Sequence, residues 1–204
     1  MRKLSVGAFM TLDGVVQAPG GPDEDPSGGF KHGGWSVGYW DQMMGNTMSA
    51  IMGLPFELLL GKRTYDIFAG YWPHTKSDPT VAIPFNSTRK YVVSHTRTEL
   101  TWKNSSLITG DVVAQIRKLK EEDGPDLWVH GSGNLIQTLL ENNLIDQMLL
   151  WIFPVTVGIA GKRLFAEGTQ ASGLKLVDSK VSTTGVIIAT YEPAGALKTG
   201  SFAD

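Results

Sequence analysis

Apolar runs of four to eight residues alternate with amphipathic stretches along this chain, and short glycine- or proline-bearing turns separate them. Leu4 to Thr11 (Ser-Val-Gly-Ala-Phe-Met at its centre) reads as a strand that ends at Leu12-Asp13-Gly14. Gln17 to Gly34 is rich in Gly, Pro and Asp and predicts a long mobile loop. Trp35 to Met52 predicts a helix with a Met/aromatic face. Phe56 to Leu60, bounded by Pro55 and Gly61, predicts a buried strand, and Thr64 to Tyr71 a short helix. Lys90 to Ser94 and Leu107-Ile108 read as strands. Asp111 is placed to cap a helix whose Val112, Val113, Ile116 and Leu119 share one face. Gly124-Pro125 stops that helix, Leu127–Val129 follows as a strand, and a helix runs on through Leu140. Gln147 to Val157 predicts a strand. Leu174–Val181 and Val186–Tyr191 predict a hairpin around Thr184-Gly185, and the tail beyond Pro193 is expected to fray.

Strands that alternate with helices imply an α/β fold, its mainly parallel sheet covered on both faces, with the terminal hairpin adding antiparallel strands. Ligands in such sheets bind beyond the carboxyl ends of the strands. Two glycine junctions fall at those ends. Leu127-Trp128-Val129-His130-Gly131-Ser132-Gly133-Asn134 is an apolar run that turns on small residues into a helix. Leu58-Leu59-Leu60-Gly61-Lys62-Arg63-Thr64-Tyr65 has the same form and adds two cations and a hydroxyl. A helix start aims backbone N–H groups and a favourable dipole at an anion, and glycine lets the anion come close. Two such junctions point to a ligand with phosphates at both ends, a nucleotide cofactor. Gly131-Ser132-Gly133-Asn134-Leu135-Ile136 opens like a dinucleotide fingerprint but carries Ile136 where the third glycine belongs.

Composition narrows the chemistry. The 204 residues include no cysteine, which excludes disulfides and thiolate catalysis. A formal net charge of −2 gives no footprint for nucleic acid, and no polybasic stretch suggests a membrane surface. The N-terminus runs straight into a strand without the pattern of a signal peptide, so a cytoplasmic protein is expected. His32, His74, His95 and His130 are scattered, so no metal site is expected, and each reads as a surface or satisfied structural histidine. There is no P-loop and no nucleophile elbow. Ser94-His95-Thr96-Arg97 is a third polar cluster at a strand end. Trp35, Tyr39, Trp40 and Trp72 flank the expected cleft and could stack on a flat ring, and Asp41 could protonate or hydrogen-bond a heterocycle. Each feature taken alone also has a structural explanation: a tight turn, solvated cations, core packing, or a helix cap.

Taken in order, several segments resemble the dihydrofolate-reductase-like superfamily. They are Thr11-Leu12-Asp13-Gly14, Leu60 to Tyr65, Val93-Ser94, Val129 to Gly133, and Pro154 to Gly158 with Gly161-Lys162-Arg163-Leu164-Phe165. The resemblance is closer to the reductase domain at the C-terminus of bifunctional riboflavin-biosynthesis deaminase/reductases and its stand-alone relatives, and runs from about residue 3 to about residue 192. It implies a three-layer fold in one domain over residues 1–193, with a flexible tail over 194–204. It also implies an NADPH-dependent reductase that passes hydride from the nicotinamide to a C=N or C=O group. The implied activity is similar to 5-amino-6-(5-phosphoribosylamino)uracil reductase; alternatives are a dihydrofolate reductase, a nucleotide-binding module without turnover, or an interaction domain with no ligand. By the same resemblance Gly61, Lys62, Arg63 and Thr64 serve the adenosine 2′-phosphate end with Ser94 beside them. Gly131, Ser132, Gly133 and Asn134 face the pyrophosphate, and Ala8 and Asp13-Gly14 border the nicotinamide. Trp35, Trp40, Pro154 and Gly158 lie towards a small-molecule substrate, with Asp41 as the catalytic group. Lys31, Lys162 and Arg163 are candidates for a substrate phosphate. A homodimer is also implied, and no zinc deaminase signature is attached.

Overall fold

The computed structural model describes residues 1–202. Eight strands form one sheet: β1 (Leu4–Thr11), β2 (Phe56–Gly61), β3 (Lys90–Val93), β4 (Ser105–Ile108), β5 (Asp126–His130), β6 (Gln147–Phe153), β7 (Ser172–Val181) and β8 (Ile187–Ala196). Five helices cover it: α1 (Gln42–Met52), α2 (Lys62–Tyr71), α3 (Pro79–Ser87), α4 (Val112–Glu121) and α5 (Gly133–Glu141). The strand order is β4-β3-β2-β5-β1-β6-β8-β7. Strands β1 to β6 pair in parallel, while β8 runs antiparallel to β6 and β7 to β8. This is the expected α/β architecture.

Period-two alternation sorts the strand side chains between two faces. Leu4, Val6, Ala8 and Met10 of β1 join Leu127, Val129, Met148 and Leu150 under Ile116 of α4 and Leu135, Ile136 and Leu139 of α5. On the opposite face Leu58, Leu60, Val92 and Trp128 pack under Tyr65 of α2 and Val81 and Phe85 of α3. Further along that face Trp151 and Phe153 meet Met44 of α1, while Met48 and Ile51 of α1 touch both clusters. Lys90 is fully buried beside Trp102 of the second cluster. Its ammonium donates to the carbonyls of Thr88 (2.8 Å) and Lys103 (3.1 Å) and lies 4.4 Å from the Trp102 ring centroid, and burial lowers its pKa to about 8.

Four differences from the sequence reading have local causes. The first helix begins at Gln42, not Trp35, because a single 3₁₀ turn at Val37–Tyr39 and an extended Trp40 precede it and Asp41 caps it. Helix α3 has no counterpart in the sequence reading, since Pro84 inside it reads as a breaker. Asp78 caps it, Pro79 occupies its first turn, and it buries Val81, Ala82 and Phe85. Strand β6 stops at Phe153, where Val155 N–H turns back to the Phe153 carbonyl (2.8 Å). Strand β8 continues past Pro193 to Ala196, opposite Ser172, so ordered pairing reaches three residues into the segment expected to fray, whose last two residues lie outside the described ones.

The 17–34 loop, expected to be mobile, is knitted to itself. The Gln17 amide donates to the carbonyls of Asp25 and Ser27 (both 2.9 Å), Trp35 Nε1 donates to the Gln17 carbonyl (2.8 Å), and Ser36 Oγ to that of Pro19 (2.8 Å).

Candidate functional site

The carboxyl ends of β2 and β5 bring the two glycine junctions into contact. Gly61 N–H donates to Ser132 Oγ (3.0 Å), and Ser132 N–H donates to Thr64 Oγ1 (2.8 Å). The chain turns into α5 through two successive left-handed residues, Gly131 (φ 53°) and Ser132 (φ 59°). A Cβ at Gly131 would stand 3.1 Å from Thr64 Oγ1, so the turn needs glycine for space as well as for conformation. The resemblance assigns Ser132 to the ligand, but its hydroxyl and its amide are both committed to joining the junctions. The backbone of Gly133 and Asn134 opens α5, which has no side-chain cap.

The helix starts differ in a way that marks this place. α1, α3 and α4 are each capped by an aspartate side chain, Asp41, Asp78 and Asp111. α2 and α5 have no side-chain cap, and it is these two that open side by side. Uncapped N–H groups at two adjacent helix starts favour an anion there.

Around the paired helix starts, Lys62 is exposed and, among the described residues, has no ion-pair partner. Arg63 points elsewhere: it pairs with Asp25 of the 17–34 loop, which Lys162 also binds (2.6 Å). The resemblance groups Arg63 with Lys62; the structure separates them. Ser94 is buried, and its hydroxyl accepts from the amides of Thr96 (3.2 Å) and Arg97 (3.0 Å). That turn sets Arg97 against Asp66 and over the Tyr65 ring of α2. The third polar cluster thus abuts the second.

A step in the sheet lies next to this centre. β5 ends at His130, opposite Gly7 of β1, whereas β1 runs on to Thr11 beside Phe153 of β6. Thr11 N–H is taken by the Val15 carbonyl (2.9 Å), so the β5-side edge of β1 has no strand against it over Ala8–Met10, about 10 Å at ~3.3 Å per residue. Ala8's methyl lies in the core and its backbone pairs with Leu150 of β6, so the polar backbone facing this step is that of Phe9. Above the step, Asp13 binds two loops together: its carboxylate accepts from Thr11 Oγ1 (2.5 Å) and from the amides of Val157 and Gly158 (2.8 Å). These bonds, led by the Thr11 hydroxyl, hold its pKa below the ordinary value. Arg163 donates to the carbonyls of Asp13 and Gly158 (2.9 Å), and the Gly14 carbonyl (φ 88°) accepts Leu164 N–H (3.0 Å). Pro154 packs beside Gly185.

Aromatic side chains wall the β1–β6 end. Trp40, 39% exposed, meets the edge of Phe9 at 5.8 Å and Trp151 at 5.7 Å, and Trp35 meets Phe153 at 5.3 Å. Asp41, expected as the catalytic group, is found as the cap of α1. Its carboxylate accepts from Met44 N–H (2.9 Å) and from both the amide and the hydroxyl of Thr183 (2.7 Å each). The Met44 and Thr183 hydrogen bonds lower its pKa, the opposite of what a proton donor needs. It lines an open groove of about 620 Å³ between α1 and the β7–β8 turn with Asn46 and Lys180, away from both glycine junctions.

His130 reads in the sequence as a surface or satisfied structural histidine, and the structure corrects this. Its ring lies between Phe85 (5.2 Å) and Trp128 (5.1 Å), with Nε2 buried and no hydrogen-bond partner. Burial pushes its pKa down to about 4, so the imidazole is neutral near pH 7. Its place directly before the Gly131 turn was the available signal. Among the described residues no cluster of metal-binding side chains occurs, and no helix is long and apolar enough to cross a membrane.

Comparison with known proteins agrees with this fold. The RibD C-terminal domain family model matches residues 2–188. YyaP of Bacillus subtilis (strain 168), an uncharacterized protein, is 28% identical over 193 residues, covering 93% of this chain and 94% of its own. A candidate riboflavin biosynthesis protein from Shewanella sp. PV-4 shares the fold with TM-score 0.66 and 23% identity, over 94% of this chain and 98% of that one. Dihydrofolate reductase from Enterococcus faecalis, solved with NADP(H) and a ligand named RAB-propyl, aligns with TM-score 0.59 and 11% identity over 94% and 96% of the two chains.

Proposed function

The chain belongs to the RibD C-terminal domain family, and from that premise we propose that it is an NADPH-dependent reductase of a small heterocycle. One observation carries the reading: the two helices without side-chain caps open together, joined through Gly61, Thr64 and Ser132, at adjoining strand ends. A dinucleotide is the ligand this arrangement suits. Its pyrophosphate would meet the backbone of Gly133 and Asn134 and the first turn of α2, and Lys62 would meet a 2′-phosphate. The nicotinamide would lie along the open edge of β1 at Ala8–Met10, beside the Asp13-Gly14 turn.

When bound, the cofactor supplies a hydride. The chain's own residues bind, orient and exclude water. Phe9 and Trp40 offer aromatic surface to a flat ring, and the backbone beyond β6, from Pro154 to Gly158, is held rigid by Asp13. In this reading neither Asp41, engaged in capping α1 and holding Thr183, nor the buried His130 is the proton donor. Water is the proton source in this reading. The fold shared with a reductase solved with NADP(H) supports it.

A homodimer belongs to the same proposal. β7 is a ten-residue edge strand with Leu174, Leu176, Val177 and Val181 exposed, and an uncovered apolar edge is a template for a second copy. The catalytic reading is tested by mixing the protein with NADPH and aminouracils or pterins and following loss of the reduced nicotinamide's absorbance. Oxidation that depends on one heterocycle supports it; binding of NADPH without oxidation by any of them favours a module without turnover.

A further inference from the structure

We propose that the ring this site accepts is planar, uncharged and unphosphorylated, and that it is held by stacking on the Phe9–Trp40 wall. The proposal rests on the reductase reading for the place of the ring and goes beyond it in naming the substrate class.

A substrate phosphate needs free cations, best arranged as a fork. Of the three candidates, Lys31, Lys162 and Arg163, the fold has already engaged two. Lys162 Nζ binds the Asp25 carboxylate (2.6 Å) and the Ser27 hydroxyl (2.9 Å). Arg63 takes the other oxygen of the same carboxylate, so Asp25, with its side chain 8% exposed, holds both cations. The Arg163 guanidinium donates to the backbone carbonyls of Asp13 and Gly158 (2.9 Å) and braces the turn after β1. Lys31 is exposed and, among the described residues, has no ion-pair partner. A single lysine on a loop is a point charge and not a fork.

A basic ring needs the opposite, a free carboxylate. Asp41 follows Trp40 in the chain and Asp13 follows β1, and every oxygen of both already accepts. Asp41 takes Met44 and Thr183, and Asp13 takes Thr11, Val157 and Gly158. What the site offers is aromatic surface. Phe9 meets Trp40 at 5.8 Å, Trp151 at 5.3 Å and Phe153 at 5.5 Å, and Trp35 and Tyr39 close on Phe153 at 5.3 and 6.0 Å. Trp151 and Phe153 are buried, Phe9, Trp35 and Tyr39 half-buried, and Trp40 exposed. Leu12, directly after β1, and Val37, in the turn before Trp40, are exposed as well. An exposed indole braced by buried rings presents a fixed π-face to a flat ligand. The Phe9 backbone at the step supplies the polar contact that the edge of a neutral ring needs.

The test is calorimetric titration of the full chain with 5-amino-6-ribosylaminouracil, with its 5′-phosphate and with pterin, repeated while NADPH oxidation is followed. The phosphate is expected to add nothing to affinity, whereas a built phosphate site would favour the phosphorylated form by at least about tenfold. Trp40→Ala is expected to weaken the unphosphorylated rings by about tenfold, raising KM with kcat little changed, and Trp40→Phe to restore most of that loss. Lys31→Ala should leave every affinity as it is. A preference of about tenfold for the phosphorylated form overturns the proposal. So does a loss in Lys31→Ala confined to that form, unchanged affinity in Trp40→Ala, or no binding of any of the three rings. Binding of the unphosphorylated rings without NADPH oxidation fails the reductase reading and leaves the ring class standing. Oxidation with the phosphorylated ring alone does the reverse.

Discussion

Thr64 Oγ1 accepts the Ser132 amide at 2.8 Å, and through that bond a residue of the Gly61 junction holds the turn of the Gly131 junction. Replacing Thr64 with Val keeps the shape and removes the acceptor. A part-buried amide loses its partner, at a cost of ~1–3 kcal/mol. A denaturant melt should show that loss, and nucleotide affinity should fall with it. Thr64→Ser, which keeps the oxygen, should restore both.

Gly131 stands at φ 53° with Thr64 Oγ1 where a Cβ would need room. Gly131→Ala should therefore weaken NADPH and NADH alike, by at least about tenfold, because it displaces the turn both share. Calorimetry with each nucleotide checks this; unchanged affinity would remove the pyrophosphate assignment.

Lys62→Ala should weaken NADPH by about tenfold, the effect of ~1.4 kcal/mol, and leave NADH nearly unchanged. Equal loss for both would sink the 2′-phosphate role and return Lys62 to the ordinary solvated surface.

Most of the fold was legible in the sequence, because strands buried on both faces and helices with one apolar face carry strong periodic signals. The order of motifs at Gly61, Ser94, Gly131 and Gly158 sufficed for the superfamily. What stayed hidden depends on three dimensions. Asp25 lies in a stretch that looks like featureless loop, and only the fold brings Arg63 and Lys162 to it. Asp41 looks chemical because it is a carboxylate in apolar surroundings, yet helix capping uses the same residue. Pro84 hides α3, since a proline inside a helix is tolerated only when packing such as that of Val81 and Phe85 compensates.

Asp41→Ala should lower the melting temperature by a few degrees, because the helix cap and the hydrogen bonds from Thr183 both disappear. Asp41→Asn, which still accepts from Met44, should be closer to wild type in a thermal melt. Turnover should survive Asp41→Asn; its collapse would restore Asp41 as the catalytic group.

Acid should loosen the loop through Asp25. Its folded pKa, about 2, lies below the ordinary value of 3.8, so its stabilisation is present above 3.8 and is lost as pH falls towards 2. Proteolysis or amide exchange of residues 17–34 across that window should accelerate in wild type. Asp25→Asn should be loose throughout and insensitive to pH there.

The most direct test of the whole account is calorimetric titration of the wild-type protein with NADPH and, in parallel, with NADH. The paired uncapped helices and Lys62 predict that both bind and that NADPH binds more tightly. Failure of both to bind would mean that the two glycine junctions are only turns, and would contradict the reductase reading.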